Sequence, residues 1–261
     1  MRAKYQLRNV AVREEGSGPA VVLVHGYPLD GDMWSDVSGL LAAKFRVLRP
    51  DLPSRRDTPH PPSPTLAEYA AWIGAVVDAA GGKAGVAGFS MGGYVLLELL
   101  RARPEAVAAA AFVDTQAGAD DPAGREARNR AIFTAREMGP IAVAERMIPK
   151  LLSRSGRSRA ALVERVRAIV RRQNPNSIEN DLLGMRDRVD SMPSLGSISV
   201  PALVVVGVED AITPPAKAEA MAKAIPGAEL VTIPGAGHLS PMEDPPAVAS
   251  ALSAFFEKSL R

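Results

Sequence analysis

The chain of 261 residues contains no cysteine, only three histidines and few aromatic residues. The absence of cysteine excludes disulfide bonds, thiolate nucleophiles and cysteine-ligated zinc or iron–sulfur centres. The histidines are scattered, and no loop has the motif of an oxygen-ligated metal site, so we expect no metal and no cofactor.

The chain also lacks a large charge excess and a long apolar run. Lysine and arginine total 31 against 29 acidic residues, which gives a net charge of +2. This mixed, nearly balanced charge does not indicate nucleic-acid binding. No apolar stretch reaches the length of a membrane span, and the N-terminus lacks the apolar core of a signal peptide. We expect a soluble cytoplasmic protein, a monomer or homodimer, whose partner is a small molecule and not a membrane.

Short apolar runs alternate with segments of helical periodicity in two parts of the chain. Strands are predicted at 4–13, 20–26, 45–53, 84–89, 107–114, 200–210 and 228–235, and helices at 34–44, 66–80, 91–103, 215–225 and 245–258. The helix at 66–80 begins with a capping box formed by Thr65 and Glu68. Such alternation is typical of βαβ units. We therefore predict an α/β protein with a mostly parallel twisted sheet and helices on both faces.

The alternation stops between residues 117 and 195. This segment has no strand-like run, shows helical periodicity at 123–138, 140–152, 158–172 and 177–189, and contains 14 of the 24 arginines. We interpret it as a helical insertion of residues 117–195 in a core domain of residues 1–116 and 196–261. Its arginines alternate with acidic residues, which is typical of a solvated face, although a subset that points inward could bind a carboxylate substrate.

Ser90 lies in the stretch 87-AGFSMGGYV-95, between a predicted strand and a predicted helix. Gly88-Phe89-Ser90-Met91-Gly92 fits the pattern Gly-X-Ser-X-Gly of a tight turn that presents a serine. Larger side chains at the flanking positions would collide with the strand and the helix, and the serine is held in a strained backbone conformation. The helix N-terminus offers unpaired N–H groups to developing negative charge. We predict that Ser90 is a nucleophile.

A serine nucleophile needs a base, and three histidines can be considered. His238 lies in the glycine-rich loop 234-PGAGHLSP-241, directly after the last predicted strand, where catalytic groups of such sheets gather. His25 ends an apolar strand and is interpreted as a buried structural residue that hydrogen-bonds the backbone. His60 lies among prolines in a predicted surface loop. We therefore predict that His238 is the general base.

The acid that orients this histidine has three candidates. Asp210 ends the penultimate strand and gives the chain order Ser-Asp-His. Glu209 would point the other way because side chains alternate along a strand. Asp114 follows the strand after the nucleophile helix, from where a carboxyl group can also reach the histidine, or it caps the following turn. Asp210 is our preferred acid, and Asp114 stays open as the alternative.

The ordered motifs HGYPLD, DLP, GFSMGG, VVVGVEDAITPP and GAGH resemble the α/β-hydrolase superfamily over the whole chain. Within it, SMGGYV and IPGAGHLSPMEDP are most similar to bacterial carboxylesterases and enol-lactone hydrolases. The resemblance implies an oxyanion hole made by the backbone N–H groups of Tyr27 and Met91, and a cap formed by the helical insertion. One departure is the stretch Asp51–Asp57, which replaces a glycine-containing turn of the family and leaves Arg55 and Arg56 without an assigned role.

Together these residues predict a serine hydrolase that cleaves small carboxylic esters through an acyl-enzyme intermediate. A lactonase, an enol-lactone hydrolase, a perhydrolase or a carbon–carbon hydrolase would use the same triad of Ser90, His238 and Asp210 with another pocket. A ligand receptor or scaffold is a further alternative, because a fold alone does not determine function. The sequence contains no motif for the acyl or alcohol specificity.

Overall fold

The computed structural model describes residues 11–53 and 65–260. Three features discussed above therefore lie outside the described residues: His60, the pair Arg55 and Arg56, and residues 4–10 of the first predicted strand. The strands of the described chain are β1 (Val12–Glu15), β2 (Ala20–Val24), β3 (Arg46–Pro50), β4 (Ala84–Phe89), β5 (Val107–Val113), β6 (Ala202–Gly207) and β7 (Glu229–Ile233). Their ends lie within three residues of the predicted boundaries, apart from the start of β1, whose predicted residues 4–10 are not described.

The strands form one sheet in the order β1-β3-β2-β4-β5-β6-β7. β1 runs antiparallel to β3, and each of the other neighbouring pairs is parallel. The prediction of a mostly parallel sheet is therefore confirmed. Its central strands are buried on both faces, which explains why they read as continuous apolar runs. In β6, for example, Leu203 and Val205 face one core and Val204 and Val206 face the other.

Helices cover both faces of the sheet, as predicted. The helices outside the 117–195 segment are α1 (Ser35–Leu41), α2 (Leu66–Ala80), α3 (Met91–Ala102), α8 (Pro215–Ala224), α9 (Ser240–Glu243) and α10 (Pro245–Ser259). Apolar residues of α2, α3 and α8 pack in one core, and those of α1 and α10 pack in the other. The capping box is present, since Thr65 Oγ1 accepts from Glu68 N at 3.2 Å and Glu68 Oε2 accepts from Thr65 N at 2.6 Å. α1 ends three residues before its predicted end.

The segment between residues 117 and 195, which the structure describes in full, is helical and contains no strand. Its helices are α4 (Pro122–Leu151), α5 (Arg154–Arg157), α6 (Ala160–Arg171) and α7 (Pro175–Arg186). Gly139 interrupts α4 with a φ of 76° and divides it into two halves, at the boundary that the sequence predicted between residues 138 and 140. Within the described chain, no helix combines the length and the apolar character needed to cross a membrane.

Candidate active site

The sequence-predicted site residues meet at one edge of the sheet. Ser90 directly follows β4, Asp114 follows β5, Asp210 lies three residues after β6, and His238 lies in the loop after β7. These four strands are parallel neighbours, so their carboxyl ends share one edge. Four residues that lie far apart in the sequence are therefore brought close together.

Ser90 has an unusual backbone conformation, with φ 50° and ψ −113°. A non-glycine residue with positive φ is held there only by its surroundings. Here the backbone N–H of Ser90 donates to Val113 O at 2.9 Å, and Thr115 Oγ1 donates to Ser90 O at 2.7 Å. Hydrogen bonds from the end of β5 therefore hold the strained turn that the sequence predicted.

The glycines around Ser90 are required by close backbone approach. A Cβ atom at Gly88 would lie 2.3 Å from Gly92 O, and a Cβ atom at Gly92 would lie 2.4 Å from Val24 O. Both contacts are with backbone atoms, which cannot rotate away. The prediction that these two positions must be small is confirmed.

A continuous chain of hydrogen bonds joins three of the side chains. Ser90 Oγ lies 3.0 Å from His238 Nε2, and His238 Nδ1 lies 2.8 Å from Asp210 Oδ2. Because the carboxylate accepts the Nδ1 proton, Nε2 is left to accept the proton of the serine hydroxyl. The imidazole is 1% exposed, and its ring packs on Phe89 at a centroid distance of 5.1 Å. The geometry thus sets the tautomer that a base acting on Ser90 requires.

Asp210 is fixed by its own loop. Its Oδ1 accepts from the backbone N–H groups of Ile212 at 2.8 Å and Thr213 at 2.9 Å, and its Oδ2 accepts from Thr213 Oγ1 at 2.7 Å. Burial raises the pKa of Asp210, but His238 and the hydrogen bonds from His238 and Thr213 outweigh burial and hold the pKa below its usual range. Sequence reasoning missed Thr213, although a hydroxyl residue three positions after an aspartate is a common loop pattern.

The two alternative acids have other partners. Glu209 is exposed and its Oε2 accepts from Arg154 N at 2.9 Å, so it points away from the histidine, as the sequence predicted. Asp114 is fully buried, and its carboxyl oxygens accept from Gly207 N at 2.8 Å and from Ser240 Oγ. Burial, together with the nearby charge of Asp210, raises the pKa of Asp114 well above its ordinary value. The geometry favours Asp210 as the partner of His238.

His25 has the structural role that its position in the sequence predicted. The side chain is fully buried, its Nε2 accepts from Leu52 N at 2.9 Å, and its Nδ1 lies 3.1 Å from Gly26 O. Both ring nitrogens therefore contact the backbone, and the bond from Leu52 N ties the loop after β2 to the loop after β3. Across residues 11–53 and 65–260, no group of three or more His, Asp or Glu side chains is arranged to hold a metal ion.

The residues expected to form an oxyanion hole follow the ends of two neighbouring strands. β2 and β4 are parallel, and Val24 pairs with Gly88 in their register. Tyr27 and Met91 each lie three residues beyond this pair, so both follow the same edge of the sheet. Met91 is also the first residue of α3, where backbone N–H groups have no helical partner.

A buried glutamate that the sequence did not point to connects the histidine loop with the helical segment. Glu243 accepts from Gly237 N at 2.8 Å, next to His238, and from Ser153 N at 3.0 Å and Ser153 Oγ. A Cβ atom at Gly237 would lie 2.5 Å from Ser153 N, which explains the glycine before the histidine. Contacts between segments so far apart in the sequence have no local pattern that could have indicated them.

The arrangement of strand, strained serine turn and helix, with an acid and a histidine on later strand ends, defines a hydrolase of the α/β type. A sequence model of the alpha/beta hydrolase family matches residues 21–251. The chain therefore belongs to the alpha/beta hydrolase family, and the resemblance inferred from its motifs is confirmed.

Among similar proteins, a thermophilic esterase from Thermogutta terrifontis, solved with malate bound, is 37% identical. That comparison covers 96% of this chain and 93% of the other, with a TM-score of 0.92. A pimeloyl-[acyl-carrier protein] methyl ester esterase from Neisseria meningitidis serogroup B is 28% identical over 95% of this chain and 98% of its own length. The enol-lactonase from Burkholderia xenovorans has the same fold, at 24% identity and a TM-score of 0.88 over 95% of this chain and 96% of that one.

Proposed function

We propose that this protein is a serine hydrolase that cleaves small carboxylic esters. Ser90 is the nucleophile, His238 the general base and acid, and Asp210 the residue that orients the imidazole. The observation that carries this proposal is the unbroken hydrogen-bonded chain from Ser90 Oγ through His238 to Asp210 Oδ2, with links of 3.0 and 2.8 Å. The names of the similar esterases from Thermogutta terrifontis and Neisseria meningitidis support ester substrates.

The reaction follows from this geometry. His238 Nε2 takes the hydroxyl proton as Ser90 Oγ attacks the ester carbonyl, and the Asp210 carboxylate stabilises the imidazolium that forms. The backbone N–H groups of Tyr27 and Met91 donate to the oxyanion, an interaction worth about 3–4 kcal/mol per donor. His238 then protonates the leaving alcohol, and the acyl-enzyme forms. A water molecule activated by His238 releases the acid and restores the serine.

The helical insertion of residues 117–195 acts as a cap over this site. Two contacts described in the structure support this role. Glu243 in α9, which bonds Gly237 of the histidine loop, also bonds Ser153 of the insertion. Arg172 of the insertion forms two hydrogen bonds, at 2.7 and 2.8 Å, with the Asp30 carboxylate three residues after Tyr27. The insertion is thus joined to the loops that carry the base and a proposed oxyanion donor.

The direct test is the substitution Ser90→Ala. We expect hydrolysis of p-nitrophenyl acetate to fall by at least about 10³-fold, while the urea unfolding curve stays close to that of the wild type. The exposed Ser158 provides a matched control, and Ser158→Ala should keep full activity. A fluorophosphonate probe should label Ser90 in the wild type, as located by mass spectrometry. Turnover retained in Ser90→Ala, or labelling at another residue, would reject the assignment.

An esterase and a lactonase would use the same three residues, so substrate preference is what distinguishes them. A panel of aryl esters and lactones of matched size, compared by kcat/KM, distinguishes the two. Preference for the acyclic esters supports the proposal, whereas a lactone preference assigns the protein to the alternative hydrolase class.

A further inference from the structure

A cavity of about 490 Å³ lies beside the proposed active site. From the sheet side it is lined by Tyr27 in the loop after β2, and by Ala211 and Ile212 in the loop after β6. β4 and β5 lie between β2 and β6 in the sheet, so the Ser90 turn lies between these two loops. The cavity therefore borders the edge of the sheet that carries Ser90 and Asp210.

On the other side, the two halves of α4 enclose the cavity. Arg146 in the second half donates to Thr134 Oγ1 in the first half, and the Thr134 side chain is buried. The break at Gly139 allows this contact between residues twelve positions apart. Arg146 is thereby held by a buried hydroxyl group across the cavity.

The lining combines apolar walls with a cluster of positive charge. Its apolar residues include Ala131, Val143, Met147, Leu182 and Ile212, and its charged residues are Arg128, Arg130, Arg146, Lys150 and Asp120. Arg146 and Lys150 are four positions apart and therefore lie on the same face of α4. The cavity thus has the composition that suits a hydrocarbon chain ending in an anion.

The one carboxylate of this lining is already neutralised. Asp120 Oδ1 lies 2.8 Å from the guanidinium of Arg188, whose side chain is 3% exposed, and Asp120 Oδ2 accepts from Arg128 Nε at 3.0 Å. Burial raises the pKa of Asp120, but the two arginines outweigh burial and hold it below its usual range. Asp120 therefore remains ionised with two cations of its own, and it cannot balance Arg146 and Lys150.

Arg146 and Lys150 differ from other cations of the insertion. Arg136 pairs with Glu179, and Arg167 pairs with Glu145 at 2.5 Å. In the described chain, neither Arg146 nor Lys150 forms an ion pair with a carboxylate, and Arg146 hydrogen-bonds only Thr134 and, at 3.6 Å, Met138 Sδ. Positive charge without a protein counter-charge among the described residues therefore lines the cavity.

We propose that this cavity binds a carboxylate of the substrate, so that the preferred esters carry an anionic group separated from the scissile bond by a short hydrocarbon chain. This inference rests on the proposed ester hydrolysis and names its substrate class. The guanidinium of Arg146 offers a planar pair of donors that matches a carboxylate, and Lys150 adds a second cation. The apolar walls accommodate the methylene groups between the two ends.

The test compares esters that differ only by a carboxylate. Monomethyl adipate is paired with methyl hexanoate, and 5-acetoxypentanoate with pentyl acetate, so that the anion lies on the acyl side in one pair and on the alcohol side in the other. kcat/KM is measured for the wild type, for Arg146→Gln/Lys150→Gln, and for the control Arg125→Gln/Arg136→Gln. Both double variants remove two positive charges, but Arg125 and Arg136 do not line the cavity.

We expect the wild type to prefer the carboxylate-bearing ester in at least one pair, by about five- to tenfold at low ionic strength. This preference should disappear in Arg146→Gln/Lys150→Gln through a higher KM, persist in the control, and weaken in about 0.5 M NaCl, where the Debye length is only about 4 Å. Hydrolysis of the neutral esters should be unchanged in the control, and in Arg146→Gln/Lys150→Gln it should fall by less than hydrolysis of the carboxylate-bearing partners does.

Equal kcat/KM within both pairs, or equal loss of the preference in both double variants, overturns the inference while leaving the proposed hydrolase function intact. Failure of the wild type to hydrolyse any of the four esters overturns the proposed function, and the inference with it. Inhibition supplies a readout without turnover: adipate should compete with a neutral ester in the wild type and the control, and only weakly in Arg146→Gln/Lys150→Gln.

Discussion

The hydroxyl of Ser240 donates a hydrogen bond to the carboxyl group of Asp114, and both residues are buried. Ser240 lies two residues after His238, and the second oxygen of Asp114 accepts from the backbone of Gly207, three residues before Asp210. One carboxyl group thus connects the loop of the proposed base with the strand that leads to the proposed acid. Asp114 therefore positions these two loops, although it occupies a strand end from which an acid could orient a histidine.

The first prediction separates the two aspartates. Asp210→Asn should lower kcat by about 10³- to 10⁴-fold, because an amide does not fix the Nδ1–H tautomer of His238 or stabilise its cation. Asp114→Asn should lower kcat by less than about tenfold, because an amide can still accept from Gly207 and contact Ser240. Steady-state kinetics of both purified variants measure the two values of kcat and identify the acid. A larger loss in Asp114→Asn would make Asp114 the acid.

The second prediction concerns the pH dependence of stability. Burial and the charge of Asp210 raise the pKa of Asp114 in the folded state, so the folded state holds this proton more tightly than the unfolded state. The contribution of Asp114 to stability is then fully present below its unfolded pKa of about 3.9, and it is lost as pH rises through the folded pKa. Asp114→Asn should therefore gain in unfolding free energy relative to wild type as pH rises.

Urea unfolding of both proteins near pH 4, which is about the unfolded pKa, and near pH 8, roughly four units above it, measures this difference directly. Asp36→Asn serves as a control, because Asp36 is exposed. If the unfolding free energies of the wild type and Asp114→Asn differed by the same amount at both pH values, the pKa of Asp114 would not be raised in the folded state.

The third prediction tests the close packing of the serine turn. Gly92→Ala would place a Cβ atom 2.4 Å from Val24 O, so we expect a loss of about 1–3 kcal/mol in stability and a large loss of activity. Gly39→Ala is the matched control in the exposed part of α1, where an added Cβ atom would have no neighbour within 4 Å. It should stabilise the protein by roughly 0.5–1 kcal/mol. Equal effects of the two substitutions on activity would contradict the packing argument.

Much of the fold and the centre of the site were predictable because their patterns are local. The spacing of Gly88, Ser90 and Gly92 predicts the serine turn, and the pair Gly139-Pro140 predicts the break in α4. His238 could be selected because few histidines exist and only this one follows a late strand within a glycine-rich loop. The choice of Asp210 over Glu209 followed from the alternation of side chains along the predicted strand at 200–210.

The supporting contacts could not be predicted, because they join segments whose distance depends on tertiary packing. Glu243 and Ser153 are 90 positions apart, and Arg172 and Asp30 are 142 positions apart. Nothing in the periodicity of α6 indicates which of its neighbouring arginines reaches the sheet edge and which stays in solvent. For the same reason, the sequence alone does not indicate the proposed substrate class, because the charged residues that line the cavity come together only when the two halves of α4 face each other.

The last prediction concerns the contact of the insertion with the loop after β2. Arg172 forms two hydrogen bonds with Asp30, a carboxylate with no exposed side-chain surface that also accepts from Gln173 Nε2 at 2.9 Å. Arg172→Gln would leave this buried charge with weaker compensation, so we expect a loss of about 1–3 kcal/mol in stability. Since Asp30 lies three residues after Tyr27, kcat should fall as well, whereas KM should change less.

Arg165 provides the comparison, because it pairs with Asp36 across the same two segments but both side chains are exposed. Arg165→Gln should cost less than about 1 kcal/mol and leave kcat unchanged, since exposed ion pairs contribute little. Urea unfolding and steady-state kinetics of the two variants measure both effects. Arg172→Lys should recover part of the stability but less of the kcat, because an ammonium group cannot reproduce the paired hydrogen bonds of a guanidinium. If Arg172→Gln and Arg165→Gln had the same small effect, the buried contact would not position the loop.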